Sequence, residues 1–301
     1  MRIVSLLASG TEIVCALGAG NALVGRSHEC DNPAWVRSLP ACSRPAFDVT
    51  VSSREIDTEV NRRIRAGEPL YYLDSDLICR LEPDLIIAQE HCEVCAVTPA
   101  DVKRSEGVLG GARLLALSAS TVGGIFEGIR QVARALGREA HGKQVITCEA
   151  ERLERVRRET SGRPRPDVTL LEWTDPVFAM GNWGPELVEI ANGQPVLGAP
   201  GVYSSVIAFE RVREADPEYL VVAPCGFALE RAWREREVFE QYPGWRELRA
   251  VRSGKAAFAD GNLFFNRSGM TIAGTAQILA EILHGVVLDQ PTENVHWRWY
   301  Q

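Results

Sequence analysis

Short apolar runs typical of strands alternate with helical patterns in both halves of the chain, and residues 121–160 between them show only helical spacing. Strand–helix alternation predicts a mostly parallel sheet covered by helices. At about 1.5 Å per residue, the helical stretch is long enough to join two such layers. The sequence therefore predicts an α/β fold with lobes at residues 1–120 and 163–301 and a connecting helical segment at 121–162.

Local signals mark several of the predicted element ends. Ser9 and Glu12 fit a capping box that would open the first helix after a strand at residues 2–7. Pro185 fits the first turn of a helix at 184–191. The aromatic tail of the chain, from residue 297 onward, is expected to dock on its own lobe or on a partner copy, so a homodimer is one prediction.

Composition excludes some classes of function. The chain has 301 residues, of which 46% are hydrophobic and 24% charged, and its formal net charge is −7. An acidic chain without a basic patch is not expected to bind nucleic acid. The apolar run at the N-terminus is shorter than the ~7–15 residues of a signal-peptide core, and no run approaches the ~18 residues of a membrane helix. The sequence thus predicts a cytoplasmic protein without membrane insertion.

Cysteines follow three of the predicted strands, at the point where each strand ends. Strand-like runs at 22–24, 84–88 and 219–223 each lead into a loop that carries cysteine. Ligands of open α/β sheets bind at the carboxyl ends of the strands. The sequence therefore predicts that these loops meet in one cleft, where the candidate metal ligands are Cys30, Cys92, Cys95, Cys225 and His91.

The spacing of Cys92 and Cys95 permits three interpretations. As half of a metal site, the pair would bind zinc or an iron–sulfur cluster, with Cys30 and Cys225 supplying the other thiolates. As a thioredoxin-like redox pair, it would need to open a helix, which lowers the thiol pKa. As a plain loop pair, it would have no chemical role. Without a signal peptide, the thiols are expected to be reduced or metal-bound rather than paired in disulfides.

Polar and aromatic side chains also occur where strands are predicted to end. Two tryptophans near one strand end could stack on a planar ring such as a corrin or porphyrin, or could seal the interface between the lobes. A later segment offers an aromatic wall, amides and a cation for a ligand's polar edge. Backbone N–H groups at the first helix suit an anion, although plain capping is the commoner use. These candidates are Ser9 and Thr11, then Trp173, Asp175, Asn182 and Trp183, and finally Phe265, Asn266 and Arg267.

Residues 3–13 and 81–86 in combination resemble the substrate-binding proteins of cobalamin and iron-chelate ABC importers, and the similarity extends through 215–220 and 270–283. The resemblance implies two Rossmann-like lobes joined by one rigid helix, a ligand cleft between the lobes, little domain closure and no catalysis. The motifs Ser-His-Glu-Cys-Asp and Cys-Glu-Val-Cys-Ala further resemble a subgroup known as cobalamin-binding proteins.

The sequence thus predicts a protein that binds a small molecule or metal chelate, with cobalamin as one candidate ligand and a cysteine cluster that holds a metal or the ligand's own metal. The alternative is a cytoplasmic redox enzyme on the same scaffold, dependent on a metal or an iron–sulfur cluster. Since a cytoplasmic protein cannot present ligand to the outer face of an importer, the sequence favours a function without an importer partner.

Overall fold

The structure is a computed structural model that describes residues 1–90, 96–104 and 111–301. Its backbone contacts divide the chain into two units. Unit 1 contains Met1–Ala119, Gly123–Thr147 and Ser268–Met270, and unit 2 contains Ser120–Val122, Cys148–Arg267 and Thr271–Gln301. The helical segment expected at 121–162 consists of two helices and not of one. They are separated at Gly137, where the backbone adopts the left-handed conformation that ends a helix.

Unit 1 is built mainly from the first two-fifths of the chain. Its elements, up to the helix that passes from unit 1 into unit 2 after Thr147, are β1 (Ile3–Ser5), α1 (Ala8–Ala16), β2 (Leu23–Arg26), β3 (Ser43–Pro45), α2 (Ser53–Ala66), β4 (Tyr71–Leu73), α3 (Ser75–Leu81), β5 (Leu85–Gln89), α4 (Pro99–Arg104), β6 (Arg113–Leu117), α5 (Val122–Leu136) and α6 (Glu139–Thr160).

The main sheet of unit 1 is parallel, with strand order β2-β1-β5-β6. All three residues of β1 are buried, as expected when helices cover both faces of a parallel sheet. Ile3 packs in one hydrophobic cluster with Ile129 of α5, while Val4 packs in another with Ile78 of α3. Alternate strand residues thus serve two separate cores, and the strands β3 and β4 form a separate antiparallel pair.

The capping box predicted at Ser9 and Glu12 is wrong. Helix α1 begins two residues earlier than that motif requires, with Leu7 at the N-cap and no side-chain cap. Glu12 is instead buried in unit 1 and accepts a hydrogen bond from Asn32 at 3.1 Å. A capping box does occur in α2, where the Ser52 side chain and its partner three residues later bond reciprocally.

Unit 2 follows the end of α6. Its elements are β7 (Asp167–Thr174), β8 (Val177–Ala179), α7 (Gly184–Ile190), β9 (Gln194–Pro195), β10 (Ser205–Val206), α8 (Phe209–Ala215), β11 (Tyr219–Val222), α9 (Leu229–Arg234), α10 (Arg236–Phe239), α11 (Arg249–Arg252), β12 (Ala256–Ala259), α12 (Ile272–His284) and β13 (Trp297–Trp299). As predicted, Pro185 lies in the first turn of α7.

The sheet of unit 2 is mixed, with strand order β10-β8-β7-β11-β12-β13 and β9 beside β7. The central strands β7, β11 and β12 are parallel, whereas β8, β10 and β13 pair antiparallel with their neighbours. A cluster of apolar side chains packs on one face, with Trp245, Phe239 and Phe258 among the most deeply buried. The predicted docking of the aromatic tail on its own lobe is confirmed, because the tail forms β13.

Among the described residues, we find no helix that combines the length and the apolar character needed to cross a membrane.

Candidate functional site

In unit 1, the candidates at the end of β1 point into the interior. The Ser9 hydroxyl lies 3.4 Å from that of Ser268, and Thr11 is fully buried. The Thr11 N–H donates to the Leu7 carbonyl at 3.0 Å as part of the helix. Both side chains therefore support the packing of unit 1, and a ligand role for them stays a prediction.

Cys30 lies in the core of unit 1, although its position after β2 suggested a ligand. Cys30 is 1% exposed. The thiol accepts a hydrogen bond from the Thr11 hydroxyl at 3.0 Å and donates to the Ser5 carbonyl at 3.7 Å. A cysteine held in this way behaves as a small buried hydrophobe with a satisfied thiol.

The four-cysteine cluster is not tested by the structure. His91, Cys92 and Cys95 lie outside the described residues. Within the ranges that the structure describes, no group of three or more His, Cys, Asp or Glu side chains is arranged to hold a metal ion. Cys225 of unit 2 is a partly exposed free thiol, three residues after the end of β11.

Trp173 lies within β7, not after it as the sequence predicted. The strand continues to Thr174 because it forms a hairpin with β8 across Asp175 and a cis proline at 176. Trp173 pairs with Phe178 of β8, which in turn pairs with Val206 of β10. Residues directly opposite one another on neighbouring strands share a face of the sheet.

One face of unit 2 therefore carries a continuous row of apolar side chains. The Trp173 ring also lies 5.2 Å from the ring of Phe227, which follows β11. At that end of the row, the Arg231 guanidinium lies 4.6 Å from the centre of the Phe227 ring, within the range of a cation–π contact. We call Phe227, Trp173, Phe178 and Val206 the apolar stripe.

The loop beside Val206 exposes apolar side chains but has a fixed backbone. Val202, Tyr203 and Val206 are 57%, 60% and 57% exposed. The Asn182 N–H donates to the Val202 carbonyl at 2.7 Å, and the Gly181 N–H donates to the Ser204 hydroxyl at 2.8 Å. Position 181 requires glycine, because a Cβ there would lie 2.1 Å from the Val202 carbonyl oxygen. Asn182 has a positive φ of 52°. Asn182 thus holds this loop in place.

Trp183 is buried and links two loops of unit 2. It is 5% exposed, and its indole N–H donates to the Phe265 carbonyl at 2.8 Å. The Phe265 N–H in turn donates to the Thr275 hydroxyl at 3.1 Å, and Phe265 has a positive φ of 43°. Only a backbone that is held from several sides keeps a bulky residue in that conformation.

Residues 260–267 after β12, which we call the rim loop, are fixed throughout. The Asn266 amide donates to the carbonyls of Ala223, at 2.8 Å, and Gly261, at 3.1 Å. Arg267 is buried and donates to the Asn262 carbonyl at 2.5 Å. Several polar groups of these candidate ligand residues are thus hydrogen-bonded to the backbone of unit 2, and these bonds order the loop.

Asp260 makes the stability of this loop depend on pH. Burial raises the pKa of its carboxyl above the usual value, opposed by the N–H groups of Leu263 and Asn262 that it accepts. A carboxyl with a raised folded-state pKa contributes stability below its unfolded pKa, and this is lost as pH rises through the folded-state pKa. We expect Asp260→Asn to remove that loss while keeping an oxygen acceptor.

The free energy of unfolding of Asp260→Asn, relative to the parent, should therefore increase between about pH 4 and about pH 7. Denaturant titrations at both pH values measure this difference. Equal differences at the two pH values would contradict the prediction.

Sequence analysis missed most of the apolar stripe. Phe178 and Val206 lie in β8 and β10, which have three and two residues, too short to show an alternating pattern. Phe227 follows Cys225 in a loop whose one predicted site residue is the cysteine. The signal that would have helped is the pair of turn residues 175 and 176, which places β8 directly beside β7.

Comparisons with known proteins agree with this architecture. A family profile described as "Periplasmic binding protein" matches residues 3–263. A search of curated proteins returned no match. Three similar solved structures are each less than 25% identical to this chain. Such identities support a shared fold.

A periplasmic heme binding protein from Pseudomonas aeruginosa is 21% identical, with a TM-score of 0.74 over 100% of this chain and 98% of the other. The periplasmic heme-binding protein RhuT from Roseiflexus sp. RS-1 is 20% identical, with a TM-score of 0.70 over 94% and 98%. The periplasmic vitamin B12 binding protein BtuF of Vibrio cholerae is 17% identical, with a TM-score of 0.65 over 94% and 96%. With the profile covering most of its length, the chain belongs to the periplasmic binding protein family.

Proposed function

We propose that the protein binds a planar metal-chelate ligand of the heme or corrinoid class, and that the apolar stripe of unit 2 is one wall of its binding site. Membership of the periplasmic binding protein family supports a binding function. The named ligands of the similar structures, heme and vitamin B12, support this ligand class. Both are large rings built around a metal, with broad apolar faces.

The apolar stripe is the observation that carries the proposal. Trp173 and Phe178 are only partly buried, and Val206 is largely exposed, so the stripe offers apolar area that water covers in the free unit. Removing such apolar area from water contributes about 25 cal/mol per Å² to the free energy of binding. Aromatic rings add a preference for offset stacking on another planar system. A flat macrocycle satisfies both terms at once.

The fixed backbone around the stripe adds to the argument. The hydrogen bonds of Gly181 and Asn182 to residues 202 and 204 hold exposed apolar side chains in place before any ligand arrives. Ordering a loop on binding costs free energy, and a loop that is already ordered avoids that cost. Soluble proteins rarely maintain ordered, exposed apolar clusters without a binding role.

Cys225 is the cysteine of unit 2 that we assign to the ligand. Its N–H donates to the Glu172 carbonyl at 2.9 Å, which places the residue beside Trp173 in the neighbouring strand. A partly exposed thiol in this position suits the metal of the chelate, because cysteine thiolate is an established ligand of heme iron. We propose that the Cys225 thiolate ligates the metal of a macrocycle lying on the stripe.

Replacing Trp173 tests the stripe. In calorimetric titrations of the full chain with hemin and with cyanocobalamin, we expect Trp173→Ala to weaken binding of the preferred ligand about ten- to a hundredfold, because a large stacking surface is lost. Trp173→Phe should recover part of the affinity. Trp35→Ala is the matched control, since Trp35 is an exposed tryptophan of unit 1.

Unchanged affinity in a folded Trp173→Ala protein would overturn the role of the stripe, and failure of the parent to bind either compound would overturn the ligand class. Cys225→Ser tests the ligation separately. With hemin bound, this substitution should change the absorbance spectrum of the iron, whereas Cys148→Ser, which removes an exposed thiol of α6, should leave it unchanged.

A further inference from the structure

The last residues of the chain extend beyond the part that matches the family profile. The profile ends at residue 263, whereas the chain continues through α12 to residue 301. Residues 292–300, which we call the C-terminal strap, return to the sheet and pair along β12. The register places Trp297 opposite Ala259 and Trp299 opposite Ala257. The strap therefore covers the edge of the sheet next to the rim loop.

The strap is anchored independently of the rim loop. Trp297 is 2% exposed, and its indole N–H donates to the Thr292 hydroxyl at 3.0 Å. The Thr292 N–H donates to the Glu281 carboxylate of α12 at 2.9 Å. At the far end, the Tyr300 N–H donates to the Ala256 carbonyl at 2.7 Å. Both ends of the strap are thus fixed to α12 and β12.

Between these anchors, His296 contacts the rim loop in two ways. Its carbonyl accepts the Asp260 N–H at 2.8 Å, where the rim loop leaves β12. Its ring meets the Phe264 ring edge to face, with 4.6 Å between the centres. Asp260 in turn accepts the N–H groups of Asn262 and Leu263 at 2.9 and 2.8 Å. One residue of the strap therefore contacts both the start and the middle of the loop.

We propose that the C-terminal strap is a positioning element, in which His296 sets the conformation of the rim loop through Phe264 and Asp260. The contact itself concerns unit 2 alone. The inference rests on the proposed function only where it assigns a ligand to the rim loop. Asn266 and Arg267, the polar candidates of this loop, would then depend on the strap for their placement.

The groups that face His296 also make this contact sensitive to acid. They are the Phe264 ring, the Asp260 carboxyl of the rim loop and the Glu281 carboxyl of α12. Burial lowers the pKa of His296, opposed by the two carboxyls. A histidine whose folded-state pKa is lowered contributes stability above its unfolded pKa, and this is lost as pH falls through the folded-state pKa. Acid should therefore weaken the contribution of His296 to the stability of the strap and the rim loop, whereas protonation of Asp260 acts in the opposite direction.

Hydrogen exchange of the full chain tests the proposal without any ligand. The readout is the exchange of amides in residues 260–267 at about pH 7, and we expect His296→Ala to accelerate it about two- to tenfold, the size of losing one aromatic pair. His296→Phe keeps a ring against Phe264 and should restore the parent rate. Val295→Ala is the matched control, because Val295 is an exposed neighbour in the strap.

Lowering the pH to about 5 adds a readout that general loosening would not give. After correction for intrinsic exchange, lowering the pH should accelerate exchange in the parent's rim loop relative to that of His296→Phe, because both proteins contain Asp260 and only the parent contains the imidazole. Parent-like exchange in His296→Ala, or equal acceleration in Val295→Ala, would overturn the proposal. An unchanged acid response in His296→Phe would overturn the role of the imidazole.

Hemin titration of the same variants separates this inference from the proposed function. If the parent binds hemin, His296→Ala should weaken binding and His296→Phe should restore it. If the parent binds neither hemin nor cyanocobalamin, the proposed function fails, while the exchange rates still decide whether the strap positions the loop. Unchanged hemin affinity in a His296→Ala protein with a loosened loop would overturn the assignment of a ligand to the rim loop.

Discussion

Gly261→Ala is expected to destabilise unit 2 by more than about 3 kcal/mol, beyond the usual range for overpacking. A Cβ at this position would lie 2.1 Å from the Pro224 carbonyl oxygen and 2.7 Å from both the carbon and the oxygen of the Ala223 carbonyl. All three atoms belong to the backbone, so no rotamer change relieves the clash. The rim loop would have to move away from the end of β11, and the hydrogen bonds of Asn266 to Ala223 and Gly261 would be lost.

Urea titration of the full chain, followed by circular dichroism, measures this change. Gly128→Ala is the matched control, because in the part of the chain that the structure describes no atom outside its own helix lies within 4 Å of a Cβ at that position. In the interior of α5, alanine is favoured over glycine by about 1 kcal/mol, so this control should be neutral or stabilising. A Gly261→Ala protein as stable as the parent would contradict the close approach of the two loops.

Trp245→Ala is expected to cost about 3–5 kcal/mol of stability, the range for truncating a large aromatic side chain in a core. Trp245 is 1% exposed. Its ring centre lies 5.0 Å from that of Phe239 and 5.4 Å from that of Tyr300. The residue thus joins the sheet-facing core of unit 2 to the end of the strap.

Trp245→Phe separates packing from hydrogen bonding at the same site. The Trp245 indole nitrogen is buried and has no hydrogen-bond partner among the residues that the structure describes. Phenylalanine therefore removes ring volume without breaking a hydrogen bond, and we expect it to cost well under half of the alanine value. Urea titrations of both variants test this order. Equal losses in the two variants would mean that the indole nitrogen has a bound partner such as water.

The apolar stripe and the rim loop bear on ligand binding in different ways. The stripe presents apolar faces, whereas the rim loop uses its amide and guanidinium groups to hold its own backbone. Phe265 and Trp183 are buried, and one hydrogen bond between them joins the rim loop to the loop that precedes α7. Substitutions of Trp183 should therefore affect the folding of unit 2 more than the chemistry of a ligand contact.

The local sequence pattern was sufficient to predict much of the fold. The strands predicted at residues 84–88 and 219–223 agree within one residue with β5 and β11, and helix α7 begins at Gly184 as predicted. Apolar runs and helix-start residues act over a few neighbours in sequence, so they can be recognised without knowing the tertiary fold. The family profile confirms the family that was inferred from residues 3–13 and 81–86.

The exposure of side chains at the strand ends could not be predicted from the sequence. Cys30 and Cys225 both follow strands, yet Cys30 is buried between Thr11 and Ser5, whereas Cys225 is partly exposed. The two positions look alike in sequence because each is a cysteine in a polar loop. Which of them turns inward depends on the elements that pack over the loop, and those elements come from distant parts of the chain.

The sequence by itself determined the alternation of strands and helices and the two α/β halves, because these follow from local periodicity. Only the tertiary structure decided that Trp173, Phe178 and Val206 form one surface, since pairing across β7, β8 and β10 is set by non-local hydrogen bonds. The same holds for His296, whose contact with Phe264 exists because β13 pairs with β12. Strands of two or three residues carry too little pattern to specify their neighbours, and long-range packing supplies that information.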